Sequence, residues 1–202
     1  MKNLLPLFAL LLLTLTACDT DKEPEAVLIP EATLHRSFIS DRNGPAEPEG
    51  MATYLKEDVT PNASITFDGL KITLQVPYPV GRDAISFLIA RNQLLPDYIG
   101  VYNVQPFNSV YMKEATFRYA YIREQSPSST VIAIIDSDRV DVNQFNYFTI
   151  TEYSPRTQTI SGDFELRMLD ATDPRLDQST LPQPQRCDII LRGSFKNVKL
   201  NR

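Results

Sequence analysis

The chain has 202 residues, of which 43% are hydrophobic and 22% charged, and its 20 basic and 25 acidic side chains leave a formal charge of -5. That acidic balance argues against a nucleic-acid partner, because proteins that neutralise a phosphate backbone carry a basic face. With one histidine, two cysteines and no tryptophan, multi-histidine metal centres are excluded, and no disulfide is expected once Cys18 is assigned to the leader.

Lys2 precedes an apolar run from Leu4 to Ala17, the order of positive start and greasy centre that marks an export signal. A membrane-crossing helix needs about 20 apolar residues. This run is shorter and is cut off by Asp19, Asp21 and Glu23. The last residues before the break, Leu15-Thr16-Ala17-Cys18, resemble the lipobox of bacterial lipoproteins. The resemblance implies cleavage between Ala17 and Cys18, a diacylglycerol on the Cys18 sulfur and a further acyl chain on the freed amine. One chain binds a bilayer only reversibly, whereas two or three make a lasting anchor. The expected organisation is therefore a lipoprotein signal peptide over 1–17, a lipidated cysteine with a flexible tether over 18–32, and a single β-rich domain over 33–202. The membrane is the expected partner through Cys18. The expected location is the cell envelope, anchored in the outer membrane, with the periplasmic and surface-exposed sides both open.

From Asp19 to about Pro30 the chain is acidic, contains two prolines and shows no sustained period, as a tether does. Ser40 to Gly50 also reads as a loop. Alternation then dominates, with strand-like runs at Ser64–Phe67, Leu70–Val76, Ala84–Ala90, Phe117–Ile122, Thr130–Ile135, Tyr147–Tyr153, Ile160–Met168 and Asp188–Leu200. Asp68-Gly69 between the first two is a hairpin signal. In the seventh run Ile160, Gly162, Phe164, Leu166 and Met168 face one way, and Ser161, Asp163, Glu165 and Arg167 the other, so one side packs and one is wet. Immediately before the last run, in "CDIILRGSF", Cys187 shares parity with Ile189, Leu191 and Phe195, which predicts a buried, inert thiol. No segment after the leader has a sustained helical period. The expected fold is all-β, an antiparallel β-sandwich or open β-barrel. Asp170 to Arg186, polar and with three prolines, is long enough to be functional or disordered, and disorder is expected.

Gly100-Val101-Tyr102, Thr149 to Tyr153, Ile160-Ser161-Gly162-Asp163-Phe164 and Gly193-Ser194-Phe195 occur in an order that looks like a family of uncharacterised Bacteroidota cell-envelope lipoproteins. The resemblance covers roughly Ile65 to the end. It implies a β-rich exported domain and supplies no catalytic residues. The residues themselves place Gly162 and Gly193 on inward strand positions, where a missing side chain permits a bulge or a close approach.

Candidates for chemistry are few. His35 is the only possible imidazole base, and no Gly-x-Ser-x-Gly is present to expose a serine. Asp136, Asp138, Asp141 and Asn143 lie close enough to offer oxygens to calcium, but Val140 occupies a ligand position, so a solvated acidic turn is expected. Asp163 and Glu165 lie about 7 Å apart on one strand face, where Arg167 continues a charged ladder. Tyr98, Tyr102, Phe107 and Tyr111 gather around irregular backbone as a candidate binding rim. No catalytic, cofactor-binding or metal residues are predicted. The expected function is a non-enzymatic, lipid-anchored binding or assembly module with an envelope protein partner. The alternatives are a carrier of a small apolar ligand in a lipocalin-like barrel and, third, a hydrolytic enzyme.

Overall fold

The structure, a computed structural model, describes residues 28–40, 50–104, 115–126, 129–136 and 146–202. They form eleven strands: β1 (Glu31–Ile39), β2 (Met51–Tyr54), β3 (Thr60–Ile65), β4 (Gly69–Gln75), β5 (Asp83–Ala90), β6 (Gly100–Asn103), β7 (Thr116–Ser126), β8 (Ser129–Asp136), β9 (Tyr147–Ser154), β10 (Thr159–Thr172) and β11 (Arg186–Asn201). Among the described residues only short 3-10 turns interrupt them. The protein is all-β, as its period of two predicts.

The strands make one curled mixed sheet, a half-barrel, in the order β6-β9-β10-β11-β3-β4-β5-β7-β8, with β1 paired to β11 and β2 to the other edge of β1. Nearly every pairing is antiparallel. The exception is the joint between the two halves, where Leu200 and Asn201 of β11 run parallel to Ala63 and Ser64 of β3. A single parallel bridge from Val104 to Ala115 also ties the start of β7 to the end of β6. The Asp68-Gly69 hairpin forms where expected, closed by the Thr66 N–H donating to the Gly69 carbonyl at 2.8 Å. The first strand starts at Glu31, two residues before the predicted domain boundary.

Inward residues from both halves fill the space between them. Phe87 of β5 meets Phe148 of β9 at 4.4 Å and Phe164 of β10 at 4.9 Å between ring centroids, and Phe148 stacks on Phe195 of β11 at 5.6 Å. Offset and tilted rings of this kind add attraction beyond the area they bury. Cys187 is buried, as its parity predicts.

The two inward glycines make room for these rings. A Cβ on Gly162 would lie 2.0 Å from the Thr149 carbonyl oxygen and 2.6 Å from the Phe195 ring, and one on Gly193 would lie 2.6 Å from Phe164. Gly162 also sits where the β9–β10 and β10–β11 registers shift. Gly162→Ala is expected to cost about 1–3 kcal/mol by overpacking. Urea denaturation checks this, and an unchanged midpoint would mean that the ladder gives way freely.

The segment from Asp170 to Arg186 corrects an expectation. Instead of disorder, β10 continues to Thr172, β11 begins at Arg186, and the residues between them are held by internal hydrogen bonds. Asp173 N–H donates to the Gln185 carbonyl at 3.0 Å, Gln178 bridges from its amide nitrogen to the Asp173 carbonyl, and its amide oxygen accepts from Gln185 N–H. The polarity of this loop is spent on its own backbone, a use that composition does not reveal.

Candidate functional site

The most unusual chemistry of the domain lies inside it. On β1 the inward face runs Ala32, Leu34, Arg36, Phe38, so a guanidinium stands in an otherwise apolar column. Arg36 is only 6% exposed. Asp83, at the inward first position of β5 and 1% exposed, faces it with 3.6 Å between Arg36 Nε and Asp83 Oδ1. Tyr119 of β7 donates its hydroxyl hydrogen to Asp83 Oδ1, and Tyr54 of β2 donates to Oδ2 at 2.7 Å. Four strands thus converge on one carboxylate.

The electrostatics follow from burial. Desolvation, and then the Asp83 carboxylate, push the Tyr119 and Tyr54 hydroxyls well above the usual phenol range. Both remain donors at neutral pH. Burial alone pulls the Arg36 pKa down, but Asp83 and the surrounding tyrosines more than offset this and raise it, so the guanidinium keeps its charge. It is sandwiched against aromatic faces, 4.5 Å from the Phe38 centroid and 5.1 Å from that of Tyr121. Such cation–π contacts strengthen when desolvated. Even so, Arg36 Nε and Nη1 have no hydrogen-bond partner.

The 173–185 loop covers this end of the barrel. Arg175 lies 5.4 Å over the Phe38 ring and binds Asp173 at 2.6 Å and the Ser40 hydroxyl at 2.7 Å through Nη2. Arg123 of β7 donates to the Leu176 carbonyl and pairs with Asp177 at 3.8 Å. The arrangement closes and neutralises itself. It holds two locked phenols, a fixed cation and a carboxylate already engaged by all three, and it presents no activated nucleophile.

Comparison with protein families, curated proteins and solved structures gives no match.

The residues singled out from sequence fall in other places. Tyr102 does not belong to a rim: it is 1% exposed, faces the core from β6, and its hydroxyl donates to the Tyr98 carbonyl at 2.7 Å. Tyr98 is half-buried and packs edge-on against Tyr153 at 5.0 Å. Phe107 and Tyr111 lie outside the described residues, as does Cys18. His35 is a half-buried strand residue, its Nδ1 2.8 Å from the Thr53 hydroxyl and its Nε2 3.2 Å from that of Ser37. Ser37 is buried, and the third group is a hydroxyl, not the carboxylate a triad uses to orient its base. Asp136 pairs with Arg118 at 2.9 Å, and the rest of the possible calcium loop lies outside the described residues.

Asp163 and Glu165 do form a wet ladder. Arg167 and Arg192 approach one Glu165 oxygen at 2.9 and 3.0 Å. Partial burial pushes the Glu165 carboxyl up, but the hydrogen bonds from Arg192 and Arg167 outweigh it and hold the group below the ordinary glutamate value. Partial burial raises Asp163. The folded pKa of Glu165 is depressed, so its contribution is present above the unfolded glutamate pKa and lost as pH falls through the folded value. Glu165→Gln is expected to flatten the acid limb of a stability-against-pH curve by less than about 1 kcal/mol, the scale of a surface pair. Thermal melts across pH 2 to 6 check it, and an unaltered slope would remove the ladder from the account.

The Arg36–Asp83 cluster itself was missed from sequence. The signal was there in "ATLHRSF", where apolar alternation continues through an arginine.

Proposed function

We propose that the chain is a lipid-anchored cell-envelope protein whose β-rich domain works by binding or assembly with an envelope partner, without catalysis. The observation that carries this is Leu15-Thr16-Ala17-Cys18 at the end of the apolar leader, followed by twelve residues, Asp19 to Pro30, before the first strand. The order of signal, cysteine, short tether and folded body is that of a moored domain. The domain supports a role in recognition because its described interior is filled by interlocking rings and a self-neutralised polar cluster, which leaves the outer surface for partners.

Cys18→Ser is expected to move most of the protein from the membrane to the soluble fraction and to remove the acyl mass from the mature N-terminus. Membrane fractionation with intact-mass measurement tests this, and unchanged fractionation would overturn the anchor. Crosslinking in native membranes then identifies the partner.

One observation favours the carrier as a second reading. The unmade donors of Arg36 inside an apolar barrel suit the anionic head of an amphiphile. Titration with a fluorescent fatty acid decides it: saturable binding in the wild type that is lost in Arg36→Met supports the carrier, and no binding removes it.

A further inference from the structure

An edge strand leaves a row of backbone N–H and C=O groups open to another strand, and proteins shorten, charge or interrupt such edges to keep them single. Among the described residues three strands have a neighbour on one side only: β2, β6 and β8. Strands β2 and β6 have four residues each, and the chain just past β6 is tied to Ala115. Strand β8 carries none of these protections. It has eight residues, STVIAIID, with no proline or glycine and no charge before Asp136. That charge is engaged within its own sheet, by Arg118 of β7 at 2.9 Å. The register with β7 runs unbroken from Asp136 back to Thr130, so no bulge turns the edge aside.

The outward side of β8 is apolar as well. Ile132 is 58% and Ile134 55% exposed. They stand beside Ile122 and Ala120 of β7, and Ala120 stands beside Ala84 of β5, so an apolar strip crosses three strands and ends at the open edge. Ala133 and Ile135 turn the other way and pack on the core. The strand is thus held by its inner face and by β7.

The residue order of β8 selects the occupant. Val131 to Ile135 reads Val-Ile-Ala-Ile-Ile, nearly the same in both directions about Ala133. A second copy laid antiparallel on a two-fold axis at Ala133 sets Ala133 against its own copy, Ile132 against Ile134, and Val131 against Ile135. Directly opposite residues of an antiparallel pair share a face, and β-branched pairs there attract. Each exposed isoleucine therefore meets an isoleucine, each inward residue meets an inward one, and no charge opposes a like charge. The symmetry also closes: each copy uses the edge once, which leaves none for a third.

We infer that β8 is a dimerisation edge, at which two copies of this chain join antiparallel about Ala133 and the sheet continues from one copy into the other. The inference stands on the domain alone, without the lipid anchor, and adds a second copy of the chain to the partners of an assembly role.

Sedimentation equilibrium of the full chain in density-matched detergent tests it, with Ile132→Lys, Ile134→Lys and, as a control on the β6 edge, Val101→Lys. All three side chains are more than half exposed, so lysine at these positions leaves the fold intact, which circular dichroism verifies. The wild type and Val101→Lys are expected to dimerise with a roughly micromolar dissociation constant. Each β8 lysine is expected to raise that constant by about tenfold or more, since an edge lysine is itself a device against pairing. A photo-crosslinker placed at position 132 and activated in native membranes is expected to yield a self-adduct linked within β8. A wild type still monomeric at roughly 100 μM, a dimer that both β8 lysines leave unchanged, or species that grow past the dimer with concentration overturns the inference. A position-132 adduct with a different protein and none with itself also overturns it, in favour of a foreign strand on this edge.

Discussion

Asp83→Ala is expected to be among the most destabilising single changes in the domain, costing about 3–5 kcal/mol, the range for breaking a buried ion pair from one side. The substitution strands Arg36, whose Nε and Nη1 already lack hydrogen bonds. It also takes the acceptor from the Tyr119 and Tyr54 hydroxyls. Each abandoned buried donor adds roughly 1–3 kcal/mol, although these losses overlap with the ion-pair cost and do not simply sum. Replacing both charges, Arg36→Met with Asp83→Leu, is expected to recover most of the loss, since a well-packed apolar pair can equal a buried ion pair. Equilibrium urea denaturation of the two variants checks the argument. A cost below about 1 kcal/mol for Asp83→Ala would mean that water reaches the pair.

Phe87→Ala is expected to cost about 3–5 kcal/mol, the range for removing a core aromatic ring. Phe87 is fully buried and joins the two halves of the half-barrel, touching Phe148 on β9 and Phe164 on β10. Its removal takes contacts from both sides of the core at once. The loss combines the transfer free energy of the ring with the void left behind, because β-sheet neighbours tied into their ladders collapse only partly. The same variant bears on the carrier reading. If the interior already held a ligand cavity, the ring would line a space instead of filling one, and the cost would drop well below this range. Calorimetry with and without a small apolar probe measures both, since an enclosed apolar void of sufficient size binds such probes.

Much of the domain could be read from residue order because period two reports a local fact. Whether alternate side chains are apolar depends only on which face of a strand is wet, and β10 states this openly from Gly162 to Met168, whereas Ser161, expected on the wet face, is buried beside the register shift at Gly162. The hairpin at Asp68-Gly69 is legible for the same reason, as two neighbouring residues set the turn. Cys187 and the two inward glycines follow from parity.

Where the structure departs from the pattern of the residues, the deciding partner is distant. Tyr102 looked like part of a rim because β6 has only four residues and irregular backbone precedes it. Its pairing with Phe148 of β9 turns it into the core. The 173–185 loop looked unstructured because polar, proline-containing sequence is compatible with either state until its hydrogen bonds are seen. Arg36 stands in the apolar column of β1, and the carboxylate that explains it, Asp83, lies on β5, distant in the chain.

Residue order alone thus determined the all-β class, the wet and dry faces of most strands and the expectation of a lipid-bearing leader, since each depends on neighbours within a few positions. Tertiary structure alone decided that β11 joins β3 in parallel, that Tyr102 lies in the core, and that Arg36 meets Asp83 under two tyrosines. Those contacts link residues far apart in the chain, and only the curl of the sheet determines which inward groups must neutralise one another away from water.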